Sequence, residues 1–304
     1  MPSKKLPWTN AMAFGLQKFE REMSSHPQPN ILIRFAKYLN YLHKMRKSDI
    51  PVMRKLKKTL KKIYLLGGAA NRQHTAEVLD FKVRYGNYAT FIYLLETIFF
   101  QQEYGVHLSS EPELIIDGGS NIGMSVLFFH QTYPSTRIIA FEPDPRTFQY
   151  LRTNITANGL TDLICLHQLA LADKQDAIDF FIDPDIEGSL LMSTTETRMP
   201  KQKISVRADR LSNFIDEPVD LLKLDIEGSE MQVLTDLKET GKLRMISNML
   251  IEYHHHLHAE EDNLSTLFNL FEAHGFGYQV RGELKSPFKA REFQDLLIFA
   301  YRKT

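Results

Sequence analysis

Two stretches of this chain concentrate side chains that bind and react. The first reads Leu-Ile-Ile-Asp-Gly-Gly-Ser-Asn-Ile over residues 114–122 and closes at Gly123. Apolar residues running into Asp117, a glycine turn and an apolar-periodic segment predict a buried strand, a tight turn and a helix start. Gly119 and Gly123 let the backbone turn sharply and leave no Cβ between it and a ligand. The helix N-terminus beyond offers free N–H groups and a positive dipole end to an anion. Asp117, at the carboxyl end of its strand, stands where open α/β sheets hold their ligands. The second stretch, residues 219–226, reads Val-Asp-Leu-Leu-Lys-Leu-Asp-Ile and continues Glu227-Gly228-Ser229-Glu230. A strand of a parallel sheet buried on both faces should be apolar, yet Lys223 and Asp225 fall on one face. Burying such a pair is costly unless the charges meet each other or a ligand. That makes the stretch a candidate active site, with a structural ion pair as the plainer alternative.

Further candidates follow from position. Glu142 ends the second expected strand, inside Phe141-Glu142-Pro143, where a carboxylate accepts both hydroxyls of a ribose. Pro143 stiffens that loop. Asp173, after the third strand, is a candidate acceptor for an adenine amine, and a turn cap equally. The run Glu252-Tyr253-His254-His255-His256 ends a fifth strand, and strict alternation places Glu252, His254 and His256 on one face. A histidine there suits a general base near neutral pH. Clustered imidazoles alone are weak evidence for metal geometry, so no metal is assigned.

Around these residues, apolar runs alternate with helical patterns from Leu114 onward. That predicts an α/β fold: a mostly parallel sheet with helices on both faces. Helices are expected over residues 122–133, 146–158, 229–237 and 263–274. Strands are expected at 114–117, 137–141, 162–169, 219–226, 245–253, 277–281 and 295–301. Additional strands are expected near 177–182 and 203–207, flanking an irregular insert at 184–200. Ahead of the sheet, residues 80–85 read as a short strand and 90–104 as an apolar helix. Tyr85, Tyr88 and Tyr93 there suit either a pocket wall or, more simply, core packing.

Residues 1–79 read as a helical extension broken by Pro27, Pro29 and Pro51. From Arg34 to Lys62 they carry eleven Lys or Arg and one acid, Asp49. Such an arm suits an anionic surface or, more plainly, a solvated helix face. No nucleic-acid motif accompanies it, so sequence-specific nucleic-acid binding is not expected. The 304 residues have zero formal net charge, 43% hydrophobic content and a single cysteine, Cys165. These describe an ordinary soluble chain without an internal disulfide, and a cytoplasmic setting is the expectation. No leader segment or bilayer-spanning run is evident; the most apolar run, Phe91–Phe100, is short and interrupted by Glu96.

The glycine turn fails the dinucleotide pattern G-x-G-x-x-G. Counting from Gly118 the third position is Ser120, and from Gly119 it is Asn121. It resembles instead the first motif of S-adenosylmethionine (SAM) methyltransferases, with Asn121 in place of a middle glycine. Asn tolerates left-handed backbone angles, so the replacement is physically reasonable. With Phe141–Pro143, with Asn154 and Asn158 in the next helix, and with Lys-x-Asp-x-Glu-Gly-x-Glu at Lys223–Glu230, the chain resembles the FkbM family over roughly residues 80–300. The resemblance implies a Rossmann-like class I methyltransferase fold with a seven-stranded sheet, spanning residues 80–304. It implies SAM as cofactor, contacted by Asp117, Gly118, Gly119, Asn121, Gly123, Glu142, Pro143, Asp173 and Asp225. It also implies O-methylation of a sugar, glycan or polyketide-like hydroxyl. Asp225 is the first candidate base and His254 the second, with Lys223 or Glu227 orienting the acceptor. The rivals are a NAD(P)-dependent oxidoreductase, which the failed glycine register disfavours, and a non-catalytic binding module.

Overall fold

The computed structural model describes residues 74–196, 202–257, 264–282 and 293–303, with Thr59, Lys61 and Ala290. The basic helical arm therefore lies almost wholly outside the described residues. Thr59, buried, accepts a hydrogen bond from the Leu79 N–H at 3.1 Å.

The central sheet is built from β3 (Leu114–Gly118), β4 (Arg137–Phe141), β5 (Ile164–His167), β9 (Val219–Leu224), β10 (Ile246–His255), β11 (Phe276–Gly282) and β12 (Gln294–Arg302). Its strand order is β11-β12-β10-β9-β3-β4-β5. Every neighbouring pair is parallel except those made by β12, which runs antiparallel between β10 and β11. This is the expected class I methyltransferase arrangement, with the last strand inserted in reverse. The strands of this sheet end within two residues of their expected bounds, except the third, where residues 162–169 split. His167 ends β5, and β6 (Ala170–Ala172) joins a separate three-stranded sheet with β7 (Asp176–Ile182) and β8 (Gln202–Arg210).

Strand alternation divides the interior. Ile115, Ile138, Leu221 and Leu250 face a core shared with α2 (Met124–Thr132) and α3 (Pro145–Ala157). Leu114, Ile116, Leu222, Met249 and Ile251 face the opposite core, with α4 (Glu230–Glu239) and α5 (Leu264–Ala273). Burial on both faces explains why β3 and β9 read as nearly unbroken apolar runs.

A hairpin of β1 (Thr75–Val78) and β2 (Phe81–Arg84) leads into α1 (Tyr88–Leu94), and the chain continues as a π-helix over Leu95–Phe100. Asn87 caps α1 by accepting from the Ala89 and Thr90 N–H groups. β1, four residues long, is a strand the sequence reading does not include; Val78 is its one fully buried residue, and Ala76 packs partly against the same core. The two asparagines of the family motif have a structural reason here. Asn154 accepts from Arg84 N–H and donates to Arg84 O and Ile122 O; Asn158 accepts from Lys82 N–H and donates to Lys82 O. Four residues apart on α3, the two amides serve β2 as a neighbouring strand would. Tyr85 stacks on Phe91 at 4.6 Å, so it belongs to the core rather than to a pocket wall. No helix among the described residues is long and apolar enough to cross a membrane.

Candidate active site

A cavity opens at the carboxyl ends of β3, β4 and β9. Gly119, Asn121, Glu142, Lys223, Asp225 and Glu227 line it, and Leu94, Ile98 and Tyr104 face them. The irregular insert contributes Ser189, Leu190, Met192 and Thr194 to the wall.

The glycine turn shapes one part of the cavity. Gly119 has φ +81°, and a Cβ there would lie 1.8 Å from the Asp225 carbonyl oxygen. Only glycine lets β3 and the loop after β9 approach so closely. Asn121 takes the left-handed conformation foreseen for it, φ 47°, with its side-chain oxygen accepting from the Ile122 N–H at 2.8 Å. Gly118 and Gly123 serve packing. Added Cβ atoms would meet Leu171 Cδ1 at 2.9 Å and Leu151 Cδ1 at 2.8 Å respectively. Glu142 is buried and accepts from the Asn121 N–H at 3.0 Å and the Asp144 N–H at 2.9 Å. Burial pushes its carboxyl up to about 8 despite those two donors. Pro143 lines the cavity beside it. Asp144 caps α3 from the same loop, accepting from the Thr147 N–H at 2.8 Å.

Charged side chains line the cavity next to this turn. Asp117 and Lys223 are register partners on β3 and β9. Lys223 Nζ lies 3.1 Å from Asp117 Oδ1 and 3.6 Å from Asp225 Oδ2, and it donates to Gly119 O at 2.8 Å. Its ammonium also sits over the Tyr104 ring, 5.2 Å from the centroid. Burial opposes the charge on Lys223, but Asp117 and Asp225 outweigh it, so its pKa is raised. The structural ion pair weighed as the plainer reading is thus present, and Lys223 also lines the cavity. Asp117 is wholly buried and does not line the cavity; Ser125 donates to its other oxygen at 2.5 Å. It anchors Lys223 instead of meeting a ligand. Asp225 is partly open to the cavity and accepts from the Tyr104 hydroxyl at 3.0 Å. Burial raises its pKa, while Lys223 opposes the rise.

His254 sits beneath this cluster with its ring fully buried. Nδ1 is 3.0 Å from Glu230 Oε1, and Nε2 is 3.2 Å from Glu227 Oε2. Burial disfavours a charged ring, yet the two glutamates prevail and hold its pKa well above the usual imidazole range. These carboxylates favour the protonated ring, which weighs against His254 as a base near neutral pH. Glu230 also accepts from the Ile226 and Gly228 N–H groups, tying down the loop in which Glu227 takes φ 56°.

Two further expectations change. Asp173 is exposed and borders a different cleft, because the short β6 turns away with the small sheet. His256, at φ 57°, leaves the strand, and its ring lies 3.9 Å from that of His255, so the alternation stops at His254. Sequence reasoning did not single out Tyr104, Glu230 or Asp295 as site residues. Glu230 stood within a quoted motif. Asp295 pairs in register with His254 only because β12 folds back beside β10. Nothing local marks Tyr104, which is 121 residues from Asp225.

Comparison with known proteins agrees with this geometry. The model of the methyltransferase FkbM domain matches residues 117–279. Methyltransferase 1 of Beauveria bassiana is 29% identical over 209 residues, 62% of this chain and 82% of that protein. The 31-O-demethyl-FK506 methyltransferase FkbM of Streptomyces tacrolimicus is 27% identical over 204 residues, 57% of this chain and 75% of that one. The 2-O-methyltransferase NoeI of Sinorhizobium fredii is 30% identical over 160 residues, 44% and 62% of the respective chains. A crystal structure of methyltransferase FkbM from Methylobacillus flagellatus aligns with TM-score 0.45 and 16% identity, over 89% of this chain but only 60% of that one. The match runs from Asp117, at the glycine turn, through the Lys223–Glu230 stretch to β11, and the chain belongs to the FkbM methyltransferase family.

Proposed function

We propose that this methyltransferase uses SAM to methylate a hydroxyl of a sugar, glycan or polyketide-like acceptor. The observation that carries the reading is one cavity lined together by the glycine turn, Glu142 and Asp225. The printed names of two relatives, a 2-O-methyltransferase and a 31-O-demethyl-FK506 methyltransferase, favour oxygen as the accepting atom.

The residues suit the cofactor. Gly119 presents backbone without a side chain, and Glu142 presents a buried carboxylate held by backbone N–H groups. Leu169, Ala170 and Leu171 add an apolar wall for a flat base in the place first given to Asp173. When bound, SAM supplies an electrophilic methyl group on a sulfonium sulfur. The turn from Gly119 to Asn121 would hold its amino-acid end, and Glu142 would accept hydrogen bonds from the ribose hydroxyls. Asp117 contributes indirectly, by fixing Lys223. Lys223 and Tyr104 fix Asp225, which accepts the acceptor's hydroxyl proton as its oxygen attacks. Burial makes Asp225 a stronger base than an ordinary aspartate. Glu227, on the cavity wall beside Asp225, positions the acceptor.

Labelled-methyl transfer from SAM into a panel of glycans and hydroxylated lipids tests this. Asp225→Asn should keep cofactor affinity while turnover falls by about 10²–10⁴-fold. Unchanged turnover would remove Asp225 as the base. Tight SAM binding with no transfer to any hydroxyl would favour the non-catalytic reading.

A further inference from the structure

His254 belongs to two groups of potential metal ligands. Asp225, Glu227 and His254 form one, and Glu252, His254 and Asp295 the other; within each, one donor atom per residue lies within 4.8 Å of the rest. The imidazole separates this cluster from an ordinary patch of acids. Its Nε2 is buried, lies 3.2 Å from Glu227 Oε2 and 3.8 Å from Asp295 Oδ1, and makes no hydrogen bond of acceptable geometry. A buried donor atom facing carboxylate oxygens from β12 and from the loop after β9 is arranged as ligands around an ion are.

We infer that the protein binds one divalent first-row transition ion at His254 Nε2, with Asp295 and Glu252 as carboxylate ligands and Asp225 and Glu227 at the open side. Donor atoms about 2.1 Å from a common ion stand roughly 3–4 Å from one another, so small side-chain rotations close the site. An imidazole nitrogen among carboxylates selects manganese, iron or zinc over magnesium and calcium. On binding, the ion takes the Nε2 lone pair, and any proton there leaves to solvent. Glu230 keeps Nδ1 and so orients the ring, as a partner behind a metal-bound histidine does. Opening toward Asp225, the ion would hold and acidify an acceptor hydroxyl. That consequence rests on the proposed function; the site itself does not.

The test uses the full chain, stripped of metal and free of cofactor and acceptor, titrated with Mn²⁺ under electron paramagnetic resonance. One bound ion per chain is expected, with spin-echo modulation from an imidazole nitrogen. Asp295→Asn and Glu252→Gln should each weaken binding by about tenfold or more. Absence of binding overturns the site, and so does bound Mn²⁺ without nitrogen modulation. The modulation is read on the unaltered protein, so a variant that fails to fold leaves the test intact. Methyl transfer, assayed separately with and without the ion, distinguishes the failures. Transfer without any Mn²⁺ binding sinks the site alone, and Mn²⁺ binding without transfer to any acceptor sinks only the proposed function.

Discussion

Two neighbouring groups of residues in the cavity are held by different means. In the group at the glycine turn, a buried carboxylate is held by the backbone: Glu142 accepts from Asn121 and Asp144 N–H groups. In the other, charges hold charges. Lys223 bridges Asp117 and Asp225, and His254 stands between Glu227 and Glu230. Amide donors fix a carboxyl in place without fully offsetting the cost of its burial, and Glu142 accordingly titrates near 8. Opposite charges keep their partners ionised but make each member indispensable. The first group therefore suits a shape-specific grip, and the second a reacting centre.

That contrast breaks most visibly at Lys223. Lys223→Met leaves Asp117 and Asp225 buried without their cation and should cost about 3–5 kcal/mol in urea unfolding. A loss near zero would mean that the charged group is held some other way. Gly119→Ala attacks the group held by backbone. Its Cβ would collide with the Asp225 carbonyl in a left-handed conformation, for a loss of roughly 2–3 kcal/mol and of SAM affinity by calorimetry. Asn154→Ala strips partners from Arg84 and Ile122 backbone groups behind the turn and should cost about 1–3 kcal/mol. A separate test concerns pH. Glu142 titrates near 8 when folded, against about 4.3 in an unfolded chain. The folded state thus binds the proton more tightly, so this group's stability contribution is intact below about 4.3 and falls as pH rises through about 8. Glu142→Gln should flatten the decline in urea midpoint between about pH 5 and pH 8; an identical slope would show the carboxylate to be well solvated.

Much of this was legible because it is written in contiguous residues. The strand-turn-helix at Asp117–Gly123, the Phe141–Pro143 loop and the polar pair in β9 are local strings whose geometry follows from the backbone. Even the left-handed Asn121 could be foreseen from residue type. Asp173 was misplaced because its preceding strand pairs with β8 rather than with β5, and pairing partners are not local information. His254 was read as a base because strand alternation gives the face of a side chain but not the charge it meets. Its partners Glu227 and Glu230 come from a loop 24 or more residues away.

By itself, then, the sequence determined the order of elements, the tight turn and the side chains that converge at the sheet's carboxyl edge, since propensity, glycine freedom and strand period act over a few residues. Only the tertiary structure decided how those side chains divide the work. Lys223 pairs with Asp117 across two strands, Tyr104 reaches Asp225 from far along the chain, and Asp295 arrives opposite His254 on a strand that runs backwards. The state of a buried charge depends on every charge and dipole within a few ångströms of it, and that neighbourhood exists only once the chain has folded.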